Sequence, residues 1–222
     1  MKYIVVDLEM NPVANKNRRS CMECQHEIIE IGAVVLDEQF VEIGSFMTYV
    51  RPQYNHKIEK KITRLTGITT QQVQSAPEFE EAFHMFTSWC KSMAEDVQIC
   101  EWSDSDLRQM TKELNLKACE LDEFEEALME SWCDFQQEYG ELLSMERQIS
   151  LEQAMLYAGE DFVGRQHDAL YDARNTANLL RIVRGESLKE SALSNVIEIM
   201  KPSEIGTSLG EMFDFSAFTL SA

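Results

Sequence analysis

Hydrophobic residues recur along this chain in two rhythms. Tyr3-Ile4-Val5-Val6, His26–Leu36 (HEIIEIGAVVL), Phe40–Val50 (FVEIGSFMTYV) and Val97-Gln98-Ile99-Cys100-Glu101-Trp102 are short runs rich in β-branched and aromatic residues, which predict strands. Asp37-Glu38-Gln39 joins the second and third as an acidic turn, predicting an antiparallel hairpin beside the first. The helical rhythm is plainest at Phe79, Ala82, Phe83, Phe86 and Cys90, with Ser75 as the expected cap and Pro77 near the start. Shorter helices are expected over Ile58–Leu65, stopped by Thr66-Gly67, and over Asp104–Leu114. Another should run from a Ser150 cap to Gly159, and a last one over Asp168–Arg184 with Gly185 as its stop. Between positions 117 and 148, Leu121, Phe124, Leu128 and Met129 suggest a helix, and Trp132–Phe135 a short strand before a further helical turn. Residues 10 to 27 are polar and irregular and read as a loop.

A strand, a hairpin and then alternating helices and strands predict an α/β sandwich with a mixed sheet over residues 1–185. Residues 186–222 differ in character. Ser187–Met200 could be helical, Pro202, Gly206 and Gly210 break up the remainder, and Phe213, Phe215 and Phe218 could dock back on the domain or bind a protein partner. This extension has no assigned role. Met1-Lys2 leads straight into the first strand and no run reaches the length of a membrane span, which points to a cytoplasmic protein with reduced cysteines.

The formal charge of −19 excludes a basic surface all round the molecule. Acid is concentrated in residues 95–147, with sixteen Asp/Glu against four Lys/Arg. Base clusters early, at Lys16, Arg18 and Arg19 and at Arg51, Lys57, Lys60, Lys61 and Arg64. A polyanionic substrate would need metal ions and a local basic path of this kind. Solvated surface is the plainer reading of the same clusters. Cys21-x-x-Cys24 with His26 makes half a zinc site at most, since no second pair of ligands follows closely.

The first strand runs into Asp7-Leu8-Glu9. Strand side chains alternate, so the two carboxylates share a face while Leu8 points to the other. Two ionised acids at the end of a buried strand resist desolvation unless a divalent cation sits between them; solvated acids at a strand end are the competing reading. Asp106 follows the fourth strand, near the start of a helix and in the crevice where α/β sheets place ligands. By position alone Asp104 is almost as good a candidate. His167 and Asp172 are five residues apart and would lie about 140° apart in one helix. They can share a site if His167 belongs to the preceding loop, flanked by Gly164, where an imidazole suits a general base.

In this order, Asp7-x-Glu9, Asp106 in a Trp-x-x-x-Asp context and His167-x-x-x-x-Asp172 resemble the three motifs of the DnaQ-like DEDDh 3′–5′ exonucleases. Glu27-Ile-Ile-Glu-Ile-Gly-Ala-Val34, Tyr49-Val-Arg-Pro52, Leu65-Thr-Gly-Ile-Thr69 and the run from His167 to Ala177 are similar to the KapD/Eri-type branch. The resemblance covers residues 1 to about 185. It implies an RNase H-like fold with a five-stranded mixed sheet flanked by α-helices. It also implies two divalent cations, Mg²⁺ or Mn²⁺, held by Asp7, Glu9, Asp106 and Asp172, with His167 deprotonating the attacking water. The implied substrate is a nucleic acid with a free 3′ end, RNA favoured over DNA, and the implied product a nucleoside 5′-monophosphate. Ser103 stands where the family often has Gly, and Asn11 where it commonly has Thr; both positions are expected near the terminal nucleotide. The alternative is a catalytically quiet nucleic-acid-binding or scaffold protein that retains the fold, although such a protein would not need His167 or four converging acids.

Overall fold

A computed structural model describes residues 1–17, 21–94, 96–143, 145 and 147–185. The expected tail elements, the three late phenylalanines, and Arg18 and Arg19 lie outside these residues. Five strands are present: β1 (Lys2–Pro12), β2 (His26–Leu36), β3 (Glu42–Tyr49), β4 (Val97–Glu101) and β5 (Trp132–Asp134). They form one sheet in the order β3-β2-β1-β4-β5. The β1–β2 and β2–β3 pairs are antiparallel, while β4 runs parallel to β1 and to β5. The sheet is therefore mixed, as the hairpin followed by helical crossovers predicts. Eight α-helices complete the described chain: α1 (Lys60–Thr66), α2 (Thr70–Gln74), α3 (Phe79–Met93), α4 (Ser105–Lys117), α5 (Glu123–Glu130), α6 (Phe135–Leu142), α7 (Leu151–Tyr157) and α8 (Ala169–Arg184). Among the described residues, no helix is long and apolar enough to cross a membrane.

Two expectations need correction. The first strand does not stop at Asp7-Leu8-Glu9: it continues to Pro12, because β2 offers a backbone ladder as far as His26, with a bulge between Glu9 and Met10. Asp7 and Glu9 thus lie within a strand. Ser75 does not open α3; it closes the short helix α2, and α3 starts after Glu78. The start of α2 is encoded in Thr69-x-x-Gln72, where the Thr69 hydroxyl accepts from the Gln72 amide and the Gln72 side chain returns to the Thr69 amide.

Alternation along β1 sorts its residues between two cores. Ile4, Val6 and Leu8 pack with Phe79, Ala82, Phe83, Phe86 and Cys90 of α3, Met110 and Leu114 of α4, and Leu128 of α5. Burying each such phenylalanine contributes roughly 1.5–3 kcal/mol. Val5 faces the other way, toward Phe135, Met155, Leu179 and Leu180 on α6, α7 and α8. Asp7 and Glu9 share the face of Val5 and so look toward α8.

The N-terminus of α8 reaches this face through a notch. A Cβ on Gly32, the β2 partner of Asp7, would lie 2.3 Å from the backbone of both Ala169 and Leu170. Backbone cannot move aside as a flexible side chain can. Gly32→Ala should therefore lower stability by about 2 kcal/mol or more and displace the first turn of α8. A denaturant midpoint unchanged from wild type would contradict this close packing.

Candidate active site

Four acids from three separate elements meet where α8 lands on the sheet. Glu9 is 8% exposed and Asp106, in the first turn of α4, is 5% exposed. One ligand atom each from Glu9, His167 and Asp172 fall within 4.8 Å of one another. Asp7 belongs to the same cluster: after burial, the charges raising its proton affinity are, in order, Asp106, Asp172, Glu9 and Glu30. Asp104, the other candidate after β4, instead forms an ion pair with Arg108 at the surface. The two acids are separated by helical position: Asp104 is the N-cap of α4, and Asp106, inside the first turn, is turned inward.

His167 precedes α8 in a left-handed conformation, with φ of 59°. Its backbone N–H donates to Asp172 Oδ2 at 3.0 Å. That turn brings the exposed imidazole back over the carboxylates, which a single helix through both residues could not do. The loop before it is pinned at two places. Asn175 Oδ1 accepts from the Val163 amide and its Nδ2 donates to the Val163 carbonyl, both at 2.9 Å. Arg165 donates to the Arg64 and Leu65 carbonyls at 3.0 and 3.1 Å, closing the C-terminal end of α1. Gly67 makes room for that guanidinium: a Cβ there would sit 2.0 Å from Arg165 Nη1.

Electrostatically the cluster is strained without a cation. Burial first, then the neighbouring carboxylates, pushes Glu9 up to about 8. Asp172 rises to about 6, chiefly by burial, against the hydrogen bond from His167. Asp7 and Asp106 are raised well above the ordinary carboxylate range, again by burial first and acidic neighbours second. Asp172 Oδ1 is buried with no hydrogen-bond partner among the described residues. An orphaned oxygen among crowded carboxylates fits a hard divalent cation, which takes oxygen ligands and removes the repulsion.

Two further acids of this neighbourhood were given no site role by the sequence. Glu30 lies directly across from Glu9, is 3% exposed, and accepts from the Ala169 amide at 3.1 Å. It anchors the positive end of α8 beside the cluster, and burial raises it to about 7. Glu101, at the end of β4, accepts from the Leu107 amide at 2.8 Å and fixes the first turn of α4 that carries Asp106. Burial, chiefly, lifts Glu101 to about 8. Asn11 has a different setting from the one expected. It is fully buried, its Oδ1 accepting from the Glu59 amide at 3.0 Å and its Nδ2 donating to the Lys57 carbonyl at 3.3 Å. It ties down the segment before α1 and presents no surface to a nucleotide. Within the early basic cluster, Arg51 is engaged with Glu78 at 2.8 Å, while Lys57, Lys60, Lys61 and Arg64 are exposed at and before α1.

A sequence model of the exonuclease family (RNase_T) matches residues 4–180. The rat 3′-5′ exoribonuclease 1 is 32% identical over 162 residues, covering 71% of this chain and 46% of that protein. The zebrafish (Danio rerio) ERI1 exoribonuclease 2 is 32% identical over 196 residues, covering 79% of this chain and 34% of that protein. The chain thus spans less than half the length of these curated relatives. Among solved structures, the nuclease domain of 3′hExo, a DEDDh family member bound to rAMP, superposes with a TM-score of 0.72 at 25% identity, covering 85% of this chain and 94% of that one. The shared RNase H-like architecture and the family match over most of the chain lead to one conclusion: this protein belongs to the exonuclease family, among the DEDDh 3′–5′ exonucleases of Eri type.

Proposed function

We propose that residues 1–185 form a metal-dependent exonuclease domain that removes nucleotides from the 3′ end of RNA, releasing nucleoside 5′-monophosphates. The observation that carries this reading is the convergence of Asp7, Glu9, Asp106 and Asp172 beside His167. Relatives named as 3′-5′ exoribonucleases, and a related 3′-exonuclease structure described as recognising the 3′ end of a histone mRNA stem-loop, support RNA as the substrate. Asp7, Glu9, Asp106 and Asp172 would hold two divalent cations, Mg²⁺ or Mn²⁺. Such a pair supplies a water acidic enough to react at neutral pH and neutralises charge on the phosphodiester and the leaving 3′ oxygen.

The chain's own residues contribute the rest. His167, held over Glu9 and Asp172, takes the proton of the attacking water. The hydrogen bond from its backbone to Asp172 ties that base to the carboxylate cluster. Glu30 and Glu101 keep the first turns of α8 and α4 in place, so that Asp172 and Asp106 converge on the acids of β1. Lys57, Lys60, Lys61 and Arg64 offer a positive approach for the backbone phosphates of an otherwise acidic protein. Residues 186–222 form an extension outside this domain, with a protein partner as their proposed ligand.

Because His167 is an exposed loop residue, His167→Ala should leave the fold and the carboxylate cluster intact. Its expected effect is a fall of about 10²–10⁴ in turnover, partly restored by imidazole added to the reaction. Turnover within a factor of two of wild type would remove His167 from the mechanism. Substrate class is tested by matched single- and double-stranded RNA and DNA time courses in Mg²⁺ and in Mn²⁺. Faster release of mononucleotides from RNA supports the reading; binding without release in either metal would favour the scaffold alternative.

A further inference from the structure

Away from the carboxylate cluster, two cysteines occupy facing positions on neighbouring strands. Cys100 of β4 is in register with Cys133 of β5, and their sulfurs lie 3.1 Å apart as free thiols. Adjacent strands are about 4.8 Å apart, inside the Cα separation that a disulfide spans. The sulfurs need to approach by only about 1 Å to reach bonding distance. Cys100 is fully buried, while Cys133, on the edge strand, is partly exposed.

The surroundings make the two thiols unequal. Arg184 Nη2 lies 3.8 Å from Cys133 Sγ. The same guanidinium donates to the Glu138 carboxylate, bonds Gln98 Oε1 at 3.1 Å and stacks over the Tyr3 ring. Its position is therefore set by three other side chains. A hydrogen bond with Cys100 and then the Arg184 charge, working against burial, lower the proton affinity of Cys133, whereas Cys100 is held firmly protonated. A partly exposed cysteine with its sulfur beside a fixed cation, and with a second sulfur in contact with it, has the layout of an attacking and a resolving thiol.

We propose that Cys133 and Cys100 form a hydroperoxide-reactive dithiol that closes into a cross-strand disulfide. The Cys133 thiolate attacks one peroxide oxygen; the O–O bond breaks, and hydroxide leaves to become water. The product is a sulfenic acid on Cys133. The Cys100 thiol then gives up its proton and attacks the Cys133 sulfur, breaking the S–O bond and releasing a second water. The sulfur pair loses two electrons, and the peroxide is reduced to two molecules of water. No other cofactor is needed.

The test treats the full chain with limiting hydrogen peroxide, alkylates the remaining thiols and maps the peptides by mass. The expected product is a linked pair of peptides containing Cys100 and Cys133, reversed by dithiothreitol. It should form at least about tenfold faster than Cys119, the other partly exposed cysteine, is oxidised. In Cys100→Ser the reaction should stop at a sulfenic acid on Cys133, trapped as a dimedone adduct. Equal oxidation of Cys133 and Cys119, or a disulfide mapping first to Cys21 and Cys24, would overturn the proposal. So would the absence of a dimedone adduct in Cys100→Ser. The mapping is done on the wild-type protein and does not depend on the variant folding.

Discussion

Asp7→Asn is expected to reduce divalent-cation-dependent nucleotide release by about a thousandfold or more, and to leave the metal-free protein at least as stable as wild type. The two effects have one cause. Asp7 is crowded by Asp106, Asp172, Glu9 and Glu30, and its carboxyl is held well above its ordinary range by burial and by those charges. Replacing it with an isosteric amide removes a carboxyl group whose ionisation is disfavoured by burial and by its acidic neighbours. A thousandfold loss is about 4 kcal/mol of transition-state stabilisation, a reasonable share for a carboxylate that would help hold the metal. Single-turnover cleavage of a 3′-labelled oligonucleotide reads the first effect, and melting in EDTA the second. Undiminished cleavage would remove Asp7 from the site. A sharp loss of stability would mean that the carboxylate is structural.

The second large effect is a coupled dependence of stability on pH and metal. Asp172 is raised from 3.8 to about 6, Glu30 from 4.5 to about 7, and Glu9 and Glu101 from 4.5 to about 8. Asp7 and Asp106 shift in the same direction. In each case the folded state binds the proton more tightly than the unfolded chain. Folding in EDTA therefore takes up protons between about pH 4 and pH 8, and stability falls as pH rises through that window. A divalent cation acts oppositely, because it binds the ionised form. At 100 times its dissociation constant a ligand adds about 2.7 kcal/mol, which for a chain of this size is roughly 5–10 °C in melting temperature. Mg²⁺ or Mn²⁺ should thus raise the melting temperature at pH 8 and change it little at pH 5. A melting temperature that is flat or rising from pH 5 to pH 8 in EDTA would contradict the repulsion argued for the cluster.

Much of this arrangement can be read from local pattern. The period of two along Tyr3–Glu9 puts Asp7 and Glu9 on one face, and the helical repeat of Phe79, Phe83 and Phe86 identifies the face of α3 that meets the sheet. The C-terminal stop at Gly67 is realised with φ of 80°. What stays hidden depends on neighbours far along the chain. Met10–Pro12, at the start of a stretch that reads as a loop, joins β1 because β2 is there to pair with it. Asp104 and Asp106 look equivalent until the first turn of α4 directs one outward and one inward. Glu30 reads as one acid within an apolar run, and its importance comes from facing Glu9 in register and receiving the α8 amide. Arg165 gains its role through Gly67, nearly a hundred positions earlier. Cys100 and Cys133 likewise become a pair only through the register of β4 and β5.

The central claim is that the β1, α4 and α8 carboxylates work with metal to shorten nucleic acid from its 3′ end. The most direct measurement uses 5′-labelled single-stranded RNA with either a free hydroxyl or a phosphate at its 3′ end, in Mg²⁺ or in EDTA. The expected result is a ladder that shortens one nucleotide at a time from the free 3′ end, with no product in EDTA and strong inhibition by the 3′-phosphate. Internal cleavage that ignores the state of the 3′ end, or cleavage that persists in EDTA, would contradict the account.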